Sequence, residues 1–174
     1  MKKLLLMRHA KSSWSDADQK DEERPLNERG RAAAATMAEW LAGRGDIPDV
    51  VITSSARRSQ ETWERMRKVL GTKRTKVIVE DNLYSSGPSA MLKALRKAPK
   101  GANTVLMIGH QPVVSSFARK LANGTTKSSC ARAYKKFPTA AIAVFEPNSD
   151  TWAEIDFADA DFKRFACPKE LVDA

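Results

Sequence analysis

Short apolar runs alternate with helix-forming segments along this chain, and that alternation constrains the fold more than any other feature. Residues 3–7 (KLLLM), 49–55 (DVVITSS), 76–80 (KVIVE) and 103–110 (NTVLMIGH) are short, mostly apolar and bounded by polar residues. That is the pattern of strands buried within a sheet. Between the first two, RPLNERGRAAAATMAEWLAGRG offers Asn27 as a helix N-cap, an Ala-rich run, and Gly43 or Gly45 as a stop. Met37, Trp40 and Leu41 recur at helical spacing and are expected to face inward. A second helix is predicted over 56–70, capped by Ser54 or Ser55. A third starts at Pro88, and a fourth lies near Pro112 and ends before Gly124. The stretch AAIAVFEPNSDTWAEIDF reads as two strands joined by the turn EPNSD. Segments 16–23 and 127–136 are expected to be surface loops. The order βαβαβαβα followed by a hairpin predicts one three-layer α/β/α domain with a mostly parallel sheet over residues 1–174.

Composition narrows the function classes. With 174 residues, 42% hydrophobic and 29% charged, the chain can bury a substantial core. No apolar run approaches the roughly 18 residues of a membrane span. The N-terminal MKKLLLMRHA imitates a signal peptide, but its apolar run is about five residues against the usual 7–15, so a cytoplasmic location is expected. Cys130 and Cys167 have no CxxC spacing and are expected to be free thiols.

The formal net charge is +9 and unevenly spread. Residues 82–145 hold ten Lys and Arg and no Asp or Glu, whereas residues from 146 onward hold eight acidic and three basic residues. A basic middle favours an anionic partner by steering. No zinc-finger, RRM or bZIP pattern accompanies it, so nucleic acid is not the expected partner.

Only two histidines occur in the chain, and both follow predicted strands: His9 the first and His110 the fourth. In open α/β sheets ligands bind outside the carboxyl ends of the strands. One histidine there would read as a structural residue; two at equivalent ends, beside arginines, point to a site. Arg8 adjoins His9. Arg57 and Arg58 fall in the first turn of the helix after the second strand, where cations oppose the helix dipole. An anion bound at that end would offset the conflict. Arg8, one of Arg57 and Arg58, two helix starts and two imidazoles suit a phosphoryl group, whose oxygens match guanidinium forks. Metal ligation is not expected, since HxH and HExxH spacings are absent. An imidazole nucleophile is the better reading. One ring nitrogen of His9 would attack phosphorus, the other held by a hydrogen bond, and the arginines would stabilise the equatorial oxygens.

These residues resemble the histidine phosphatase superfamily, with its phosphoglycerate-mutase-like fold. MRHAKSS resembles its RHG motif with Ala10 in place of Gly, TSSARRSQET its second-arginine motif, and MIGHQPVV its second-histidine motif. The matches span residues 4–114 in order. RHAKSSW, RPLNERG and the short length point to the SixA-type, phosphohistidine phosphatase branch. The register of the second motif selects Arg58 over Arg57, with Thr62 as its Thr; Glu61 stands where Gln is usual. The resemblance implies that His9 is the phosphorylated nucleophile and that Arg8, Arg58 and His110 complete the phosphate pocket. It also implies a hydroxyl contact from Ser15 and no cofactor.

Many members protonate the leaving oxygen with a Glu or Asp after the third strand. Here that segment is VEDNLYSSGP, with Asn82 at the expected place. Glu80, Asp81 and Asp16 are the remaining candidates. An alkoxide without an acid is poorly served, whereas phosphohistidine leaves as imidazole and demands less. About two dozen residues separate the second and third strands, too few for an inserted lid. The expected substrate is therefore phosphohistidine on a protein, with small phosphomonoesters such as sugar phosphates or nucleotides as the alternative. The basic stretch 82–145 is a candidate for docking an acidic partner. The expected state is a monomer or weak oligomer.

Overall fold

The computed structural model describes residues 1–172. Six strands form one sheet: β1 (Lys3–Arg8), β2 (Val50–Ser54), β3 (Lys76–Glu80), β4 (Thr104–Gly109), β5 (Ile142–Pro147) and β6 (Ala160–Ala166), in the order β3-β2-β4-β1-β5-β6. Strands β1 to β4 pair in parallel; β5 and β6 are antiparallel additions beside β1. The helices are α1 (Glu28–Arg44), α2 (Arg57–Leu70), α3 (Asn82–Ser85), α4 (Pro88–Arg96), α5 (Val113–Leu121), α6 (Ser128–Ala131) and α7 (Pro168–Val172). Leu5, Met7, Val51 and Ile108 pack with Met37 and Leu41 of α1 and Trp63 and Met66 of α2 on one face. Leu4, Leu6, Val105 and Met107 pack with Leu95, Phe117 and Leu121 on the other. Alternate residues of β1 and β4 thus enter opposite cores, which is why these strands read as continuous apolar runs. The result is the three-layer α/β/α arrangement expected.

Helix α1 begins as its sequence dictates. The Asn27 side chain accepts from the Gly30 N–H at 2.8 Å, and Gly45 ends the helix in the left-handed region at φ 74°. Such a cap contributes about 1 kcal/mol. Gly30 is also required by contact: a Cβ there would lie 2.1 Å from the Lys11 carbonyl oxygen. The Asn27 N–H donates to that same carbonyl at 3.0 Å, and Ser12 bridges to Leu26. RPLNERG is therefore the element that seats the loop following β1.

Three expectations change. The strand pairing with β5 is Ala160–Ala166, not 151–157. Trp152 and Ile155 are buried, and the Trp152 indole N–H donates to the Ala102 carbonyl at 2.7 Å. The alternation of TWAEIDF anchors a connection with a short 3-10 turn, rather than forming a strand. Segment 127–136 contains α6 and a 3-10 turn, and it buries Cys130 and Ala133. Segment 16–23 ends in a 3-10 turn at Asp21–Glu23.

Candidate active site

The carboxyl ends of β1, β2 and β4 meet at a cleft of about 300 Å³ lined by Arg8, His9, Arg58 and His110, together with Lys11, Ser12 and Trp14 from the loop after β1. Asp21, Gln111 and Thr139 complete the lining. The four residues singled out for phosphate chemistry are thus brought together. The two imidazole centroids lie 5.0 Å apart.

The backbone holds His9 from both sides. Its N–H donates to the Gly109 carbonyl at 3.0 Å, and the Ala140 N–H reaches the Arg8 and His9 carbonyls at 3.0 and 3.1 Å. The Ala10 N–H donates to Thr62 Oγ1 at 3.0 Å, and that hydroxyl donates to the Arg58 carbonyl at 2.7 Å. Thr62 thereby ties the first turn of α2 to the loop that carries His9. Its expected place in the motif has this physical meaning.

His9 Nδ1 lies 2.7 Å from the Ala10 carbonyl oxygen. A carbonyl can only accept, so Nδ1 carries the proton and Nε2 keeps its lone pair. Burial pushes the His9 pKa down to about 3, with the charges of His110, Arg58 and Arg8 adding to the shift against the opposing Ala10 bond. Burial, then Arg58, lowers that of His110 to about 4. Both imidazoles are neutral near pH 7. His110 Nε2 is 2.7 Å from Ser54 Oγ.

Two buried nitrogens of this pocket, Arg8 Nε and His110 Nδ1, have no hydrogen-bond partner among the described residues. An unsatisfied buried polar group costs about 1–3 kcal/mol. Arg8 Nη1 donates to the Phe137 carbonyl at 3.0 Å, which aims the guanidinium. Burial lowers the Arg8 pKa, and Arg58 adds to that shift. An anion between the two guanidiniums would relieve the repulsion and satisfy the orphaned donor.

Arg58 and Arg57 point in different directions. Arg58 enters the pocket and donates to the Asp21 carbonyl at 2.8 Å and to Asp21 Oδ2 at 3.1 Å. Arg57 turns away to Glu61, at 2.9 Å. Glu61 also accepts from the Leu26 N–H at 3.0 Å, a role that suits a carboxylate in this position.

The other candidates fall elsewhere. The exposed hydroxyl of Ser15 pairs with Ser13 Oγ, and Ser15 does not line the pocket. Neither do Asp16, Glu80 and Asp81. The only carboxylate in the lining is Asp21, which sequence reasoning missed. It accepts from Tyr84 Oη at 2.6 Å, and Tyr84 meets His110 edge-on at 5.7 Å. The Tyr84 bond, followed by the charges of Arg58 and Arg24, holds the Asp21 carboxyl below its ordinary range. It is ionised near pH 7 and has no proton to give. The acidic run DEE before RPL was the one available signal, and it does not by itself single out Asp21. Among the described residues no group of three or more His, Cys, Asp or Glu is arranged to hold a metal ion.

The histidine phosphatase superfamily (branch 1) model matches residues 4–84. An uncharacterized protein of Mycobacterium tuberculosis is 31% identical over 165 residues, 94% of this chain and 100% of the relative. The chain belongs to the histidine phosphatase superfamily. Similarity also reaches the phosphohistidine phosphatase SixA of Escherichia coli, 28% identical over 142 residues, 80% of this chain and 82% of that protein. A solved structure from Nakamurella multipartitia, assigned as a phosphohistidine phosphatase SixA, superposes with a TM-score of 0.81 at 28% identity, covering 96% of each chain. The fold is thus that of SixA-type histidine phosphatases, and the chain is a phosphate-ester or phosphoramidate hydrolase of this superfamily. No helix of the described residues is long and apolar enough to cross a membrane.

Proposed function

We propose that the chain is a phosphohistidine phosphatase in which His9 Nε2 accepts the phosphoryl group of a phosphorylated protein. The observation that carries this reading is the bond from His9 Nδ1 to the Ala10 carbonyl, which leaves Nε2 unprotonated in a pocket with two guanidiniums. Nε2 forms a bond to phosphorus as the bond to the leaving nitrogen breaks; the leaving imidazole departs neutral when its other nitrogen carries the proton. Arg8 and Arg58 stabilise the equatorial oxygens, and a proton on His110 Nδ1, with Ser54 donating to Nε2, adds a further donor. Water then attacks phospho-His9, releases inorganic phosphate and restores the lone pair on Nε2.

The leaving group follows from what lines the pocket. Its only carboxylate, Asp21, is held ionised by Tyr84 and Arg58, so an alkoxide would leave without a carboxylic acid to protonate it. Similarity to SixA, named a phosphohistidine phosphatase, supports the same substrate class. A small phosphomonoester is the second reading, since a cleft of about 300 Å³ admits one. The deciding experiment compares kcat/KM on a phosphohistidine protein with that on a panel of sugar phosphates and nucleotides. Preference for the protein is expected. A higher kcat/KM on any small ester would assign the enzyme to the second class.

A further inference from the structure

The pocket adjoins a groove of about 640 Å³ between α1 and α7; Lys11 and Thr139 line both. Four cations line the groove, Lys11, Arg29, Lys136 and Lys169, and among the described residues no acidic one does. None of the four forms an ion pair among the described residues. Arg29 lies in the first turn of α1, where the helix dipole disfavours a cation. The opposite flank has the other sign. A cleft of about 910 Å³ along α2 and β3 is lined by Glu22, Glu23, Glu61 and Glu64, with Arg57 as its only cation.

We propose that the groove between α1 and α7 docks an acidic segment adjoining the phosphorylated residue of a protein substrate. The proposal rests on the phosphoprotein reading and adds where the partner lies and what charge it carries. Because Lys11 and Thr139 border both, one extended segment that crosses them reaches pocket and groove together. The acidic cleft repels the same segment from the other flank, so the two flanks fix its direction. A small ester would fill the pocket and leave the groove empty.

This placement differs from that suggested by the acid-free run 82–145. Only Lys136 of its ten cations lines the groove. Arg96 pairs with Asp156 at 3.3 Å and Arg132 with Glu170, so the acidic C-terminal segment neutralises part of the run. Arg119 and Lys120 lie over the rings of Tyr134 and Phe157.

The test uses two peptides of equal length carrying the same non-hydrolysable phosphonate analogue of phosphohistidine. One is flanked by Asp and Glu, the other by Ser and Gln. Each is measured as an inhibitor of p-nitrophenyl phosphate hydrolysis, which reads the pocket alone. At low ionic strength the acidic peptide is expected to bind about tenfold more tightly. Raising salt to about 0.5 M should bring that ratio close to one. Arg29→Glu combined with Lys169→Glu should do the same and leave p-nitrophenyl phosphate kinetics unchanged. Equal inhibition by the two peptides, or a ratio that survives the double reversal, would overturn the proposal. Should the double variant fail to fold, the wild-type salt dependence and Lys136→Ala carry the same decision. A single-stranded oligothymidylate that inhibits more strongly than the acidic peptide would overturn it in favour of nucleic acid. Hydrolysis of a true phosphohistidine peptide is assayed separately. Its absence alongside a tenfold inhibition ratio would reject the substrate class and leave the groove standing.

Discussion

At the floor of the pocket most functional groups are tied to the fold, whereas the cations of the basic flank make no side-chain hydrogen bond or ion pair among the described residues. His9 is bonded to Ala10, Arg8 to Phe137, Arg58 to Asp21 and His110 to Ser54. Lys11, Arg29, Lys136 and Lys169 form no ion pair among the described residues. The difference follows from what each region must do. A reaction that depends on fixed donors around phosphorus needs groups placed before the substrate arrives. A flank that meets a charged surface gains from mobile, screened charges that steer and orient. Substitutions on the floor should therefore change catalysis on every substrate, whereas substitutions of Arg29, Lys136 and Lys169, which line only the groove, should change it only for substrates large enough to reach there.

Adjacent arginines sharpen the contrast most. Arg58→Ala should lower kcat/KM on p-nitrophenyl phosphate by about a hundredfold or more, the scale seen when a fixed transition-state donor is lost. Arg57→Ala, one residue away but facing the other cleft, should change it by less than about threefold. Equal losses would erase the distinction between floor and flank at this point. Steady-state kinetics on the two variants decides.

Gly30 tests how the floor is held. Gly30→Ala places a methyl group against the Lys11 carbonyl and must displace the loop that follows His9. It should cost about 1–3 kcal/mol of unfolding free energy, read by denaturant titration, and should lower kcat. Gly43→Ala is the control, since a Cβ there meets nothing within 4 Å. Similar behaviour of the two would show that α1 does not seat the catalytic loop.

Acid should act on the floor through its imidazoles. The folded-state pKa values of His9 and His110, about 3 and about 4, lie below the ordinary 6.5. Between those limits the unfolded chain binds more protons, so stability falls as pH drops below about 6.5. The two residues together should account for about 2 kcal/mol of the loss between pH 7 and pH 5.5. Replacing both by Gln should flatten that part of the profile. An imidazole titrating near 6.5 by NMR in the folded protein would contradict the assigned environment.

Much of the floor was legible because histidine is scarce in this chain and both copies end apolar runs. Motif register favours Arg58 over Arg57, and of the two only Arg58 lines the pocket with the histidines. What stayed hidden depends on tertiary contact. The Phe137 and Ala140 backbone groups that fix Arg8 and His9 carry no side-chain signature. Asp21 reaches the pocket from a loop whose path sequence alone does not specify. The second strand of the hairpin was misplaced because TWAEIDF alternates apolar and polar residues while its Trp152 and Ile155 anchor a connection instead. Charge was the least legible property. The acid-free run 82–145 folds against the acidic residues that follow it, and the basic groove is assembled from Lys11, Arg29, Lys136 and Lys169, drawn from four separate parts of the chain.

The central claim is that His9 itself carries the phosphoryl group. Rapid quenching of the enzyme with radiolabelled phosphohistidine protein, followed by peptide mapping under alkaline conditions, tests it directly. An acid-labile, alkali-stable label is expected on the peptide containing His9, formed before phosphate release and absent from His9→Ala, which should remain folded. Turnover with no label on that peptide, or hydrolysis retained by His9→Ala, would contradict it.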